Sequence, residues 1–252
     1  MAQTQNISSY TLHNNFESYF FALKTFKRDF LLEKAKKYKK IKVLGAKSKK
    51  VFFGSKRQFN ELTLINAVKG DAFTKYGETA EPIPFVSFVK FNDFYAQNAK
   101  ICKIDIKAAY WYAAFYDFLQ IETFEKGIKN KPARLAALGS LASQFEVFLY
   151  NSGIFVESQL ITSRFRWLYF KIAKRIDTIM NDCYIIDNCN FGYYVDCIFC
   201  STYSADKIIQ FIENEGFFCT KEEVICNTVL DKYGNKYMID SLGKAYFLKK
   251  TT

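Results

Sequence analysis

The sequence predicts an α+β protein, an antiparallel sheet backed by helices, with a small basic module at residues 1–99 leading into a core at residues 100–252. Three observations carry this expectation. Half of the 252 residues are hydrophobic, which is ample for a core, while 11 Gly and 3 Pro leave little for long linkers. Strand-like and helix-like runs alternate irregularly after Lys100. The last thirty residues read as three short strands with a Gly234-Asn235 turn, a β-meander.

In the first module, Phe16, Tyr19, Phe20, Leu23, Phe26, Phe30 and Leu31 recur at helical spacing, so a helix is expected over 16–40. IKVLGAKSKKVFF (41–53) reads as a basic hairpin turning near Gly45–Lys49. A short helix at 57–69 and a loop at 70–84, with Gly70, Gly77, Pro82 and Pro84, complete it. Further on, Lys100–Ile106 reads as a strand and Ala108–Leu119 as a helix. Arg134–Tyr150 and Gln159–Met180 read as two longer helices, Tyr193–Ser201 as a strand, and Ala205–Glu215 as a helix. Glu223–Leu230, Lys236–Asp240 and Lys244–Lys249 form the meander.

The charge balance is +11, from 36 basic and 25 acidic residues. From Lys34 to Arg57 there are ten lysines and one arginine with no acid, a cluster suited to a polyanion, with nucleic acid the leading partner. Lys36, Lys37, Lys39, Lys40, Lys47, Lys49 and Lys50 are its candidate phosphate contacts. On the helix read at 159–180, Arg164, Arg166, Lys171, Lys174 and Arg175 alternate with aromatics, a second candidate groove lining.

Seven cysteines at irregular spacing argue against a disulfide framework and fit a reducing, cytoplasmic compartment. The one CxxC, Cys197 to Cys200, would put its thiols on opposite faces of a strand, and the only histidine is His13, so a zinc site is not expected. No run of 18 apolar residues and no signal-peptide pattern is present, so no membrane partner is expected.

Two acids stand where chemistry is plausible. Asp105 closes the strand of ICKIDIKAAYW, and Asp196 sits within the aromatic, apolar run FGYYVDCIFCS. A carboxylate buried bare in such a strand is costly, so it requires a partner or a metal. Two carboxylates on neighbouring strand ends suit two-metal nucleotidyl transfer, with Mg²⁺ (or Mn²⁺) keeping waters and taking substrate phosphates. Glu222 and Glu223 are read as a solvated pair, with the supply of a missing acid as the alternative.

These residues resemble the palm domain of family B DNA polymerases, over residues 100–250 or so. KIDIKAAYW (103–111) resembles motif A, D-x-x-S-x-Y-P, with Ala108 for the serine and Trp111 for the proline. The resemblance assigns Asp105 to the metal and Tyr110 to the ring that packs under the incoming sugar and excludes a 2′-hydroxyl. KPARLAALGSLAS (131–143) resembles motif B, K-x-x-x-N-S-x-Y-G, so Lys131 or Arg134 would contact the triphosphate, with Gly139 and Ser140 at Asn-Ser. YVDCIF (194–199) resembles motif C, Y-x-D-T-D-S, and GKAYFL (243–248) the Lys-x-Tyr element, assigning Lys244 and Tyr246 to the primer–template duplex.

The second acid of motif C is replaced by Ile198. Reverse transcriptases offer a second resemblance: their Y-x-D-D keeps the first acid as essential, as YVDC does, their motif A is D-x-x-x-x-[FY], and G-N-L-T-S-Q is similar to GSLASQ (139–144). The resemblance implies a polymerase-type palm and a minimal DNA polymerase or primer-extending nucleotidyltransferase. Its partners would be a DNA or RNA primer–template, nucleoside triphosphates and a replication partner protein, in DNA replication of a plasmid, phage or mobile element. The competing class is a non-catalytic nucleic-acid-binding protein on a degenerate palm.

Overall fold

A computed structural model of the chain describes residues 16–35, 38–45, 49–54, 59–91, 94–187, 190–234 and 236–249. The elements are α1 (Phe16–Thr25), β1 (Phe30–Lys34), β2 (Tyr38–Val43), β3 (Lys49–Gly54), α2 (Phe59–Tyr76), β4 (Val89–Lys90) and β5 (Ala99–Ile106). They continue with α3 (Ala109–Asp117), α4 (Ile121–Ile128), α5 (Lys131–Leu141), β6 (Gln144–Asn151), β7 (Ile154–Thr162) and α6 (Arg166–Ile186). The chain then forms β8 (Gly192–Tyr194), β9 (Cys197–Cys200), α7 (Ala205–Asn214), β10 (Cys219–Leu230), β11 (Lys236–Asp240) and β12 (Ala245–Lys249). The protein is α+β, with antiparallel sheets backed by helices.

The larger sheet has seven strands in the order β12-β11-β10-β5-β9-β8-β4, every pair antiparallel. Period-two alternation divides its central strands cleanly. Cys102, Ile104 and Ile106 of β5, with Ile198 and Cys200 of β9, join the main core beneath the helices. That core also holds Trp111, Leu138, Trp167, Ile176 and Ile208. Ile101, Cys197 and Phe199 turn to the opposite face, where they meet Phe91, Val224 and Tyr246. The sheet curls at this second face: Tyr246 of β12 lies edge-on to Phe199 of β9, with ring centroids 4.9 Å apart.

The smaller sheet runs β3-β2-β1-β6-β7. Helix α1 covers one side, with Tyr19 and Leu23 packed on Phe30, Leu32, Ile41 and Val51. The N-terminal strands do not close on themselves. β1 pairs with β6, and β4 pairs with β8, so both sheets mix strands from either side of residue 99.

The expected hairpin of 41–53, the helix at 205–215 and the terminal meander are all present. Five expectations need correction. The helix expected through residue 40 stops at Thr25, because Lys27 takes a left-handed conformation (φ 48°) and Phe30–Lys34 is held as a strand between β2 and β6. The helix expected at 134–150 ends at Leu141, and the one expected from Gln159 begins only at Arg166. Between them β6 and β7 form a hairpin whose two loop residues, Ser152 (φ 48°) and Gly153 (φ 77°), both have the positive φ of a type I′ turn. Gly153 is fixed twice over, since a Cβ there would come within 2.4 Å of the Lys24 carbonyl oxygen. The loop read at 70–84 begins late, because α2 continues to Tyr76. Finally, Tyr193–Ser201 is two strands, β8 and β9, folded about Val195, whose φ is 61°.

Candidate active site

Asp105 comes from the end of β5, on the face turned away from the helices. The chain then reverses through Lys107 and Ala108 (φ 51°) into α3. Trp111 anchors that helix: it is buried, donates from Nε1 to the Phe124 carbonyl at 3.0 Å, and lies against Gly127, where a Cβ would clash at 2.0 Å. Asp196 sits in the turn of the β8–β9 hairpin. Two backbone bonds fix that turn, from Val195 N–H to the Phe88 carbonyl at 2.6 Å and from Ile106 N–H to the Asp196 carbonyl at 3.1 Å. Cys197 is the direct partner of Asp105 in the β5–β9 ladder, so the two acids occupy adjoining strand ends.

Both acids line a groove of about 710 Å³, shared with Lys103, Glu222, Lys244 and Tyr246. Burial pushes the Asp196 carboxyl above its ordinary range, and the neighbouring Asp105 pushes it further; a backbone hydrogen bond, Lys131 and Lys107 work the other way. Lys107 Nζ sits 3.0 Å from Asp105 Oδ2, an exposed pair of small energetic weight. Burial disfavours the charge on Lys103, but hydrogen bonds with Glu222 (2.9 Å) and Tyr246 outweigh it, and the ammonium titrates above its usual range. Glu223 lies on the other face of β10, paired with Lys100 at 2.6 Å.

Among the described residues no cluster of three or more His, Cys, Asp or Glu is poised to hold a metal. Two carboxylates are nonetheless a donor set that Mg²⁺ accepts when water and phosphate complete the octahedron. The mutual repulsion of Asp105 and Asp196 is the kind that a divalent cation relieves. The CxxC thiols are confirmed on opposite faces, Cys197 with the groove side and Cys200 with the helix side, and the six described cysteines are all free.

Of the other expected site residues, Tyr110 is half-buried in the first turn of α3. Its hydroxyl is held neutral by burial first and by the field of Asp196 second, which places it within electrostatic reach of that acid. Lys131, the first residue of α5, reaches Asp196 in the same sense. Lys244 and Tyr246 line the groove, with the Lys244 ammonium 4.8 Å from the Tyr246 ring centroid. Arg134 and Ser140 are not brought to the groove. Arg134 donates to the Ile128 carbonyl at 3.2 Å in the α4–α5 connection. Ser140 is 3% exposed and donates to the Ala137 carbonyl at 2.7 Å, as a helical serine inside the core does.

The described part of the basic segment lies in the smaller sheet, away from the groove lining. Lys36, Lys37 and Lys47 fall outside the described residues, and Lys49 opens β3. Lys39 pairs with Glu17 at 3.2 Å, Lys40 pairs with Glu33 at 2.8 Å, and Lys50 is exposed. The basic residues read near α6 are individually occupied: Arg164 by Glu78, Arg166 by the Ala142 carbonyl, Lys171 by Asp117, Lys174 by Asp177 and Arg175 over Tyr116. Sequence reasoning passed over Lys103 and Lys107, although the two-residue steps from Lys103 to Asp105 to Lys107 put both beside the acid. No family model matches the chain, and no curated protein matches it.

Proposed function

We propose that the chain is a small palm-type nucleotidyltransferase that extends a nucleic-acid primer, with Asp105 and Asp196 as its metal-holding carboxylates. The observation that carries this reading is the pairing of those two acids at adjoining strand ends on the helix-free face of an antiparallel sheet, close enough that Asp105 raises the Asp196 carboxyl. The residues around them divide into two sides. Lys244 and Tyr246 line the groove on the sheet side, where a primer–template duplex would lie against a lysine and a ring. Tyr110 and Lys131 act on Asp196 from the first turns of α3 and α5, where a nucleoside triphosphate would enter.

In this arrangement Asp105 and Asp196 would hold Mg²⁺ (or Mn²⁺), which would supply positive charge toward the primer 3′-hydroxyl and the triphosphate oxygens. Lys131 contributes a point charge toward the triphosphate. Tyr110, kept neutral and packed against the main core, offers a fixed steric wall against the sugar. Lys107 offsets the charge of Asp105 until substrate arrives.

Ile198 is fully buried beneath the helices, so an acid at that position would not face the groove, whereas Cys197 lines it. The hairpin therefore compares more naturally with Y-x-D-D, whose second acid would fall at 197, than with Y-x-D-T-D-S. The same absence of a second hairpin acid supports a non-catalytic nucleic-acid binder as the other reading. Primer extension with Mg²⁺ and with Mn²⁺, on DNA and RNA templates, separates the two. Incorporation that disappears in Asp105→Ala supports the enzyme; a parent protein inactive under every condition supports the binder.

A further inference from the structure

The smaller sheet has one side packed under α1 and, among the described residues, one side open. Register places Lys42, Lys50, Lys40, Phe52, Tyr38, Leu31, Glu33, Val147 and Leu149 on the open side, and none of these residues is buried. Two features of that face lack an internal explanation. Lys42 and Lys50 stand directly opposite each other on β2 and β3, a like-charge cross-strand pair of the kind that opposes sheet formation. Neither has a carboxylate partner among the described residues, in contrast to Lys39 with Glu17 and Lys40 with Glu33. Beside them, Tyr38 and Phe52 are stacked, with centroids 5.2 Å apart and Phe52 43% exposed. Two uncompensated ammonium groups next to an exposed ring on an open sheet are complementary to an anion that also carries flat apolar surfaces.

From this juxtaposition of the Lys42–Lys50 pair and the Tyr38–Phe52 stack, we infer that the open face of the smaller sheet binds single-stranded nucleic acid. The lysines meet backbone phosphates, and unpaired bases stack on Phe52. Unpaired bases are required because a duplex hides the base faces that an aromatic platform uses. This site is separate from the Asp105–Asp196 groove. It rests on the reading of the chain as a nucleic-acid protein and not on its catalysis.

Fluorescence anisotropy with labelled oligo-dT and oligo-rU of roughly 16 nucleotides, and with a duplex of equal length, tests this on the full chain. The parent should bind the single strands and bind the duplex more weakly. Lys42→Glu with Lys50→Glu should reduce single-strand affinity at least ~tenfold and lower the log–log salt slope by about 1.4. Phe52→Ala should reduce affinity by roughly tenfold with the slope unchanged, because stacking carries no counterion term. Lys126→Glu with Lys129→Glu, exposed on and after α4, makes the same change in net charge and should leave affinity intact. Lys50→Gln removes the like-charge pair, so it should melt no lower than the parent while still weakening binding, which separates loss of contact from loss of fold. No single-strand binding by the parent, tighter duplex binding, or equal losses from the α4 control would each overturn the assignment. Asp105→Ala should retain single-strand binding; a chain that binds single strands but extends no primer leaves this site standing while the catalytic reading falls.

Discussion

Cys197 lies directly across the β5–β9 ladder from Asp105 and one residue after Asp196. Burial pushes its thiol up to about 12, with Asp105 and Asp196 adding to the effect against Lys103, so without a metal it is an uncharged thiol at neutral pH. A carboxylate at this position would face the groove. Cys197→Asp should therefore lower the melting temperature in the absence of metal, since a third acid joins a crowded pair, and should gain more thermal stability than the parent from added Mn²⁺. Ile198→Asp places the same charge in the dry core beneath the helices, where no rescue is available, and should cost about 4 kcal/mol or more. Melting curves of both variants with and without Mn²⁺ check this contrast. Equal metal responses in parent and Cys197→Asp would mean that position 197 does not reach the metal site.

Asp196 itself should be a stability cost. Its folded-state carboxyl is raised by burial and by Asp105, so the folded protein binds that proton more tightly than the unfolded chain does. Stability from this group is therefore present in acid and is lost as pH rises through its unfolded and then its raised folded value. At neutral pH, Asp196→Asn should raise Tm, by on the order of 1 kcal/mol or about 2–4 °C for a chain of this size, while removing primer extension. Divalent metal should raise the Tm of the parent at neutral pH and not that of Asp196→Asn, and the parent's gain should fade on acidification as the carboxyl takes up its proton. A destabilised Asp196→Asn would show that the acid is satisfied structurally.

Tyr110 packs against the main core from the first turn of α3 within the field of Asp196. If a bound sugar lies between that ring and the acid, a ribose 2′-hydroxyl meets the ring. Tyr110→Ala should raise the ratio of ribonucleotide to deoxynucleotide incorporation, and Tyr110→Phe should not, because the barrier is the ring and not the hydroxyl. Single-nucleotide extension with matched deoxy and ribo substrates measures the ratio. An unchanged ratio in Tyr110→Ala would reduce Tyr110 to a packing residue.

Asp105 was legible because a strand, a single acid and a helix follow in order, and the structure keeps that order. Asp196 was legible as an acid in an apolar setting. Its turn was not, because Tyr193–Cys200 is apolar except for Asp196 and holds no Gly, Pro or Asn, and the reversal falls at Val195, a β-branched residue held at positive φ by tertiary bonds rather than by turn chemistry. The β6–β7 hairpin was missed for the opposite reason. The signal, Ser152-Gly153, was present, but the flanking apolar residues also satisfied a helical period. Ser140 was placed at the site by resemblance alone, and its helix turns it into the core. Lys103 and the groove wall formed by β12 depend on sheet curl, which local patterns do not encode.

Asp240 organises the turn that presents Lys244 and Tyr246. It is 5% exposed, and its Oδ1 accepts from the backbone N–H groups of Leu242 at 3.0 Å and Lys244 at 2.9 Å. The Asp240 N–H in turn donates to the Lys244 carbonyl at 3.1 Å, and the Tyr246 hydroxyl donates to Oδ2 at 3.5 Å. Removing the carboxylate strands two backbone donors, which costs roughly 1–3 kcal/mol. Asp240→Ala should accordingly lower Tm and loosen the β11–β12 turn. Asp240→Asn retains one acceptor oxygen and should recover most of the loss. The functional readout is affinity for a primer–template duplex, followed by anisotropy with Lys244→Ala as the reference. Because Asp240 acts through Lys244 and Tyr246, Asp240→Ala should weaken duplex binding about as much as Lys244→Ala, and the double variant should lose little more than either alone. Additive losses would mean that Asp240 serves stability independently of the groove.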